Sequence, residues 1–238
     1  MDAIKDVRLI TNSVEGWLND TEGIYLYDSA RSCTGKGVIV EIGSWKGKST
    51  IWLAKGSLAG HSIQVYAIDP HTGSEEHRAI MPYIDTYRDF ISNLQMASVN
   101  HIVKPIRKTS AETVADFSSP VELLFIDGAH DFLSVKRDFL NWFPRLIEGG
   151  LVVFHDTDWD GPRKVIEQLV LNSRMITNAG FLSGSSIFHA KKIRKNSVSD
   201  ALFNRYLIYL RRFSLYLSTI QLPASVKRIG NNALKFIS

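Results

Sequence analysis

Cysteine is nearly absent from this chain: Cys33 is the only one among 238 residues. No intrachain disulfide can form, and a cysteine-cluster zinc site is excluded. Such usage fits a reducing compartment. No apolar run approaches the roughly 18 residues that a membrane-spanning helix needs. The opening stretch, MDAIKDVRLI, has no apolar signal-peptide core. A cytoplasmic protein is therefore expected. Acidic residues are scarce in one region. From Lys191 onward there are ten Lys/Arg and one acid, Asp200, a net charge of +9. With +4 overall, the first 190 residues carry −5. A mildly acidic body with a basic appendage is the expected organisation.

What the body does contain is a glycine-punctuated turn after a short apolar run. The stretch Val38–Thr50 reads VIVEIGSWKGKST. Val38–Val40 predicts a buried strand, and Lys48–Lys55 predicts a helix. Strand, tight glycine turn and helix form a site for a nucleotide-like ligand at the helix N-terminus. A phosphate loop needs four residues between its glycines; Gly43 and Gly47 are separated by three. A G-x-G-x-x-G fingerprint is also absent. The spacing Glu41-x-Gly43-x-x-x-Gly47 does match, without insertion, the turn of S-adenosylmethionine (SAM) enzymes. An ordinary glycine turn is the bland alternative.

Downstream, apolar runs alternate with helical patterns. Strands are expected at Ile63–Ile68, Ile102–Ile106, Val121–Ile126 and Leu151–Phe154, with a closing pair at Met175–Ala179 and Ser185–Ala190. Helices are expected at Asp85–Val99, Phe132–Trp142 and Pro162–Leu171. Leu146–Gly150 reads as a turn, and His71–Tyr83 as a polar loop whose His71 and His77 are solvated, with metal ligation the alternative. This alternation predicts an α/β doubly wound, mostly parallel sheet, with ligands beyond the carboxyl ends of its strands. Four acids fall there: Glu41, Asp69, Asp127 and Asp156. Asp69 lies about where a ribose diol is held in such folds. Thr109-Ser110-Ala111-Glu112 is a helix start, and Ser110 is a secondary cofactor candidate.

Asp127 and His130 are three apart on one strand-to-helix turn, and His155-Asp156 ends the neighbouring strand. Two carboxylates with an imidazole can hold a divalent cation; oxygen ligands suit magnesium, and an added imidazole admits manganese or zinc. Asp127, Asp156 and His155 are the candidate metal ligands. His130 is the candidate general base, with Asp127 beside it. Helix capping by Asp127 and His130 is the structural alternative.

Together the VIVEIG strand and turn, AIDP, LLFIDGAHD and GGLVVFHDT resemble class I SAM-dependent methyltransferases. Within that class they look most like small-molecule O-methyltransferases of the metal-dependent sugar and antibiotic-tailoring type. The likeness spans roughly Gly23–Ala190. It implies a Rossmann-like seven-stranded sheet with an antiparallel last strand. It also implies SAM contacts at Glu41, Gly43, Ser44, Gly47 and Asp69, with Asp127 bordering the cofactor. A metal ligand and a base come from the Asp-x-x-His turn at Asp127 and His130. Where the sugar enzymes have an acidic pair, this chain has His155-Asp156. The implied acceptor is a small hydroxylated molecule such as a sugar or glycan unit. A metal-independent methyltransferase and a catalytically silent SAM-fold binding protein remain open alternatives.

Residues 1–36 are expected to form two short helices, through Val14-Trp17-Leu18 and Ile24-Leu26-Tyr27, over the mouth of the 37–190 domain. Residues 191–238 form the appendage. Ala201–Ile220 predicts a basic, aromatic-rich helix, followed by a second segment with Lys227, Arg228 and Lys235. Such a helix packs on its own domain, on a second subunit in a homo-oligomer, or on an anionic membrane surface. Nucleic acid is not an expected partner, because the body is acidic and no RNA-binding module is visible.

Overall fold

In the computed structural model, which describes residues 3–80 and 83–219, the chain forms one seven-stranded sheet with helices on both faces. The strands are β1 Val38–Ile42, β2 Val65–Ile68, β3 Val103–Ile106, β4 Val121–Ile126, β5 Leu146–Phe154, β6 Ile176–Phe181 and β7 Phe188–Lys192. Their spatial order is β3-β2-β1-β4-β5-β7-β6. The first five pair in parallel; β7 pairs antiparallel with both β5 and β6. This is the Rossmann-like α/β sheet that the sequence predicts. The order reverses between β1 and β4, and crevices in such sheets open at that switch.

The two faces follow the strand period of two. Ile39, Leu123, Phe125 and Val153 join one core with α2 Asp20–Arg31 and α3 Lys48–Ala59. Val40, Leu124, Val152 and Phe154 join the other with α7 Phe132–Trp142. The remaining helices are α1 Ala3–Thr11, α4 Glu75–Ile80, α5 Tyr87–Met96, α6 Ser110–Asp116, α8 Asp160–Val165 and α9 Val198–Thr219.

Several boundaries differ from the sequence reading. Val14, Trp17 and Leu18 lie in the connection after α1 rather than in a helix. Hydroxyls stop α1: Thr11 Oγ1 donates to the Val7 carbonyl and Ser13 Oγ to that of Ile10. Val14 and Leu18 are nevertheless buried beside Leu26, Tyr27 and Trp52, so the N-terminal segment shares the core of the sheet. The Gly149-Gly150 pair lies inside β5, not in a turn before it. There the β4–β5 pairing shifts register between Val121 and Leu123, and Gly149 takes a positive φ of 83°. The 71–83 stretch contains α4, and Met81 and Pro82 lie outside the described residues. His71 is buried, with Nδ1 2.8 Å from Thr86 Oγ1, and burial lowers its pKa. The His77 side chain and the tail segment containing Lys227, Arg228 and Lys235 also lie outside the described residues.

α9 folds back on its own domain. Leu207 is buried in the second core, Arg212 pairs with Glu167 at 2.9 Å, and Arg211 pairs with Asp158. Among the described residues no helix is long and apolar enough to cross a membrane.

Candidate active site

The glycine turn is shaped by the approach of two strand ends. Gly43 follows β1 with φ 86°, and a Cβ there would lie 2.1 Å from the Asp127 carbonyl oxygen. Only glycine fits, because the backbone after β4 passes directly against it. Gly47, with φ 91°, opens α3. Between them the Asp69 carboxylate anchors the turn. Its Oδ2 accepts the Ser44 and Trp45 amides at 2.9 and 2.8 Å; its Oδ1 accepts the His71 amide at 2.6 Å. A carboxylate offers about four acceptor positions, so about one remains for a ligand hydroxyl. Asp69 is thus a brace for the turn as well as a wall of the cleft. A ribose diol, with two hydroxyls to place, finds about one open position there.

Glu41 faces away from the cleft. It is fully buried and accepts hydrogen bonds from Ser49 Oγ and Thr50 Oγ1 in the first turn of α3. Burial pushes its carboxyl up to about 8, against the pull of those two hydroxyls. Of the four acids that the sequence places at strand ends, three line the cleft and Glu41 lies beneath it. Ser44 does line the cleft, and its buried Oγ has no protein partner. Ser110 lines it too, but donates its hydroxyl to Asp138. Burial raises Asp138 to about 6. Thr109, not Ser110, caps α6, through a reciprocal box with Glu112.

Across the cleft stand Asp127, His130 and Asp156, each offering one ligand atom within 4.8 Å of the others. His130 Nε2 is 3.0 Å from Asp156 Oδ2. The Trp159 ring stacks on His130 at 4.7 Å between centroids, with planes 24° apart. Asp156 takes φ 52°, a rare backbone setting for a non-glycine residue. The turn carrying His130 is backed by α8, where a Cβ on Gly161 would lie 2.0 Å from the His130 carbonyl oxygen.

His155 sits behind this group. Its Nδ1 is 3.1 Å from Asp127 Oδ1 and 3.2 Å from Asp156 Oδ2; its Nε2 is 3.2 Å from Glu22 Oε2. These contacts are not aligned as hydrogen bonds, so charge carries them. Burial would lower the imidazole pKa, but Asp127, Asp156 and Glu22 outweigh it and raise it strongly. Burial raises Asp127 despite His155. Asp156, in contrast, is held far below the carboxylate range: His130 and His155 overcome its burial. An imidazolium has no lone pair for a metal. The sequence grouped His155 with the two acids as ligands; the third side chain of the group in space is His130.

Sequence reasoning missed Glu22. Its Oε2 also accepts the Asn19 amide at 2.9 Å, and its Oε1 accepts the Ser186 amide and hydroxyl at 2.8 and 3.0 Å. The only local signal was the capping pattern Asn19-x-x-Glu22. Its partner at the site is 133 positions away.

The cleft holds about 1140 Å³ including its mouth. The glycine turn, the orphaned Ser44 hydroxyl and the remaining acceptor position on Asp69 fit the adenosine and amino-acid parts of SAM. Two carboxylates and an imidazole fit a divalent cation.

Known proteins bear on this arrangement. Residues 40–157 match a family model described as a methyltransferase domain. A 122-residue stretch is 34% identical to the uncharacterized protein y4gI of Sinorhizobium fredii; it covers 50% of this chain and 13% of that much longer relative. Among solved structures, the O-methyltransferase NovP superposes with a TM-score of 0.64 at 15% identity, over 74% of this chain and 81% of NovP. The O-methyltransferase TomG from Streptomyces achromogenes, solved with SAM, gives 0.54 at 18% identity over 81% and 90%. An O-methyltransferase from Bacillus cereus, solved with S-adenosylhomocysteine (SAH), gives 0.54 at 19% identity over 81% and 91%. At these identities the likeness carries the fold.

Proposed function

We propose that this chain, whose residues 40–157 match a methyltransferase domain, is a class I SAM-dependent methyltransferase that transfers a methyl group to a hydroxyl of a small molecule such as a sugar or glycan unit. One observation carries the reading. The glycine turn braced by Asp69 and the Asp127-His130-Asp156 group face each other across one cleft at the sheet's switch point. SAM, when bound, supplies an electrophilic methyl. The chain supplies position and proton handling, and for an in-line transfer position contributes much of the rate. Gly43, Ser44, Gly47 and Asp69 would hold the cofactor, with Ser110 at the side of the cleft.

Two versions of the proton step use the same residues. In one, Asp127, His130 and Asp156 would hold magnesium or manganese, whose charge would lower the pKa of an acceptor hydroxyl enough for its proton to pass to solvent. In the other, His130 takes the hydroxyl proton and Asp156, 3.0 Å from its Nε2, stabilises the imidazolium. Asp156, kept ionised by His130 and His155, serves either version, as a ligand in the first and as the partner of the imidazolium in the second. Glu15–Leu18 border the cleft from the N-terminal segment. We assign residues 1–36 as the acceptor-side cover of the 37–190 domain and residues 191–238 as an appendage. The single cysteine supports a cytoplasmic setting.

Calorimetric titration with SAH after EDTA treatment tests the cofactor reading, with the Asp69→Ala variant as control. Titration with manganese then tests the cation, with Asp127→Asn as control. A manganese heat that vanishes in Asp127→Asn, and turnover that rises with the metal, support the metal version. Turnover indifferent to metal selects His130 as base. SAH binding without turnover on a broad panel of hydroxylated acceptors selects the silent binding protein. No SAH binding at all sinks the reading.

A further inference from the structure

α9 turns one face to the body, and among the described residues the opposite face is exposed. Asn204 and Leu207 are buried, and the Arg211 side chain is mostly covered. On a helix with 3.6 residues per turn, Val198, Leu202, Tyr206, Tyr209, Phe213 and Tyr216 fall on a single narrow stripe. After Val198 their spacing runs 4-3-4-3 along the chain. That stripe lies across the helix axis from the buried residues. All six are exposed, from 50% at Tyr206 to 70% at Tyr209. The stripe is ~27 Å long at 1.5 Å per residue. Aromatic side chains present about 150–250 Å² each, so the exposed apolar area is on the order of 700 Å². A contiguous apolar patch of this size on one helix marks an interaction surface rather than the scattered exposure normal to a protein surface.

Charge identifies the occupant. Residues 201–238 contain six Lys/Arg and no acid at all. Arg205 is exposed on the border of the stripe, and Arg194 and Lys195 precede the helix. The one acid of α9, Asp200, is engaged by Thr177 Oγ1 and by Ser197. Arg211 and Arg212 are already answered by Asp158 and Glu167 of the body. A second copy of the chain would bring another aromatic stripe, but its 201–238 stretch brings only more positive charge. A surface that is apolar at one depth and anionic at the next satisfies both parts. Tyr and Phe rings settle at the level of lipid headgroups, with arginines reaching anionic phosphates. Each basic residue near an anionic leaflet strengthens binding about fivefold.

We propose that the outward face of α9, centred on Tyr206, Tyr209 and Phe213, docks the protein on an anionic lipid surface, with Arg205 on the headgroups. This placement is independent of the methyltransferase reading: it uses no residue of the cleft.

The test is co-sedimentation of the full chain with phosphatidylcholine vesicles, with and without phosphatidylserine. The protein is expected to bind the serine-containing vesicles and to be released by raised salt. A Tyr206→Ser, Tyr209→Ser, Phe213→Ser variant is expected to bind at least about tenfold more weakly, and Arg205→Glu several-fold more weakly. Both should keep the wild-type melting temperature, because these side chains face away from the body. Should the triple variant fold poorly, Arg205→Glu with the salt series carries the test alone. Equal binding by wild type and both variants would overturn the proposal, as would binding that ignores phosphatidylserine. A concentration-dependent dimer in sedimentation equilibrium that the triple variant abolishes, without vesicle binding, would also overturn it and assign the stripe to a second copy.

Discussion

Glu22 Oε2 lies 3.2 Å from His155 Nε2, and each side chain is at least 96% buried. One carboxylate from the N-terminal segment therefore faces the imidazole whose other nitrogen faces Asp127 and Asp156. The same carboxylate takes the Asn19 amide and both donors of Ser186. It joins α2, the turn before β7 and the end of β5. Removing one partner of a buried charged pair leaves the other uncompensated and costs about 3–5 kcal/mol. Glu22→Gln keeps the size and loses the charge. It is expected to lower stability to urea by about 3 kcal/mol, with manganese binding weakened more than SAH binding. A loss below about 1 kcal/mol would show that the pair is not a structural tie.

Gly43 and Gly35 separate sterics from backbone strain. Both have φ 86°, but a Cβ at Gly35 meets nothing within 4 Å while one at Gly43 strikes the Asp127 carbonyl. Gly35→Ala is expected to cost about 1 kcal/mol, from the left-handed conformation alone. Gly43→Ala should cost at least about 2 kcal/mol more and remove measurable SAH binding, since β1 and the turn after β4 must move apart. Equal effects on thermal melting would mean that the strand ends do not approach as described.

Most of the fold was legible because its signals are local. Val121–Ile126 is a run of apolar residues broken only by Glu122, and it becomes the central strand β4, with every residue buried. Gly43 and Gly47 announce their turn by spacing. The cleft acids were legible as strand ends, since Asp69, Asp127 and Asp156 follow β2, β4 and β5. Side-chain direction was not. Glu41 lies inside β1, one position before its last residue, and the strand period sends it to the hydroxyls of Ser49 and Thr50. His130 joins the two acids where the sequence reading placed His155, for a similar reason: His155 and Asp156, adjacent after β5, face different sides of the group. Glu22 was invisible because its site partners come from distant elements, a relation set by packing.

The same burial of Glu41 gives a pH dependence. Its folded pKa, raised to about 8 by burial, exceeds the ordinary value of 4.5. The native state therefore holds a proton that the unfolded chain has released between those values. Stability from this group is complete below about pH 4.5 and declines as pH rises toward 8, by up to about 1.4 kcal/mol per unit. Glu41→Gln cannot titrate. The difference in unfolding free energy between variant and wild type should thus shift in favour of the variant from pH 5 to pH 8. A pH-independent difference would mean that Glu41 is ionised in the native state.

Trp159 offers a test of how His130 is held. The indole is half exposed and makes its ring contact with the imidazole from outside the cleft. Its removal should therefore cost little stability, about 1 kcal/mol or less, the range for one exposed stacked or cation–π pair. The imidazole then loses the surface that fixes its plane against Asp156. In the proton-transfer version of the chemistry, a loosely held base lowers kcat by roughly tenfold or more, because each ~1.4 kcal/mol of lost transition-state stabilisation is tenfold in rate. SAH affinity should stay within about twofold, as Trp159 is not among the residues that line the cleft. Trp159→Ala measured for turnover and for SAH binding gives that split, and Trp159→Phe, which keeps a stacking ring, should recover most of kcat. Loss of SAH binding in parallel with turnover would instead mean that Trp159 supports the whole cleft. Unchanged turnover in both variants would remove His130 orientation from the chemistry and leave the Asp127 and Asp156 carboxylates as the groups that matter.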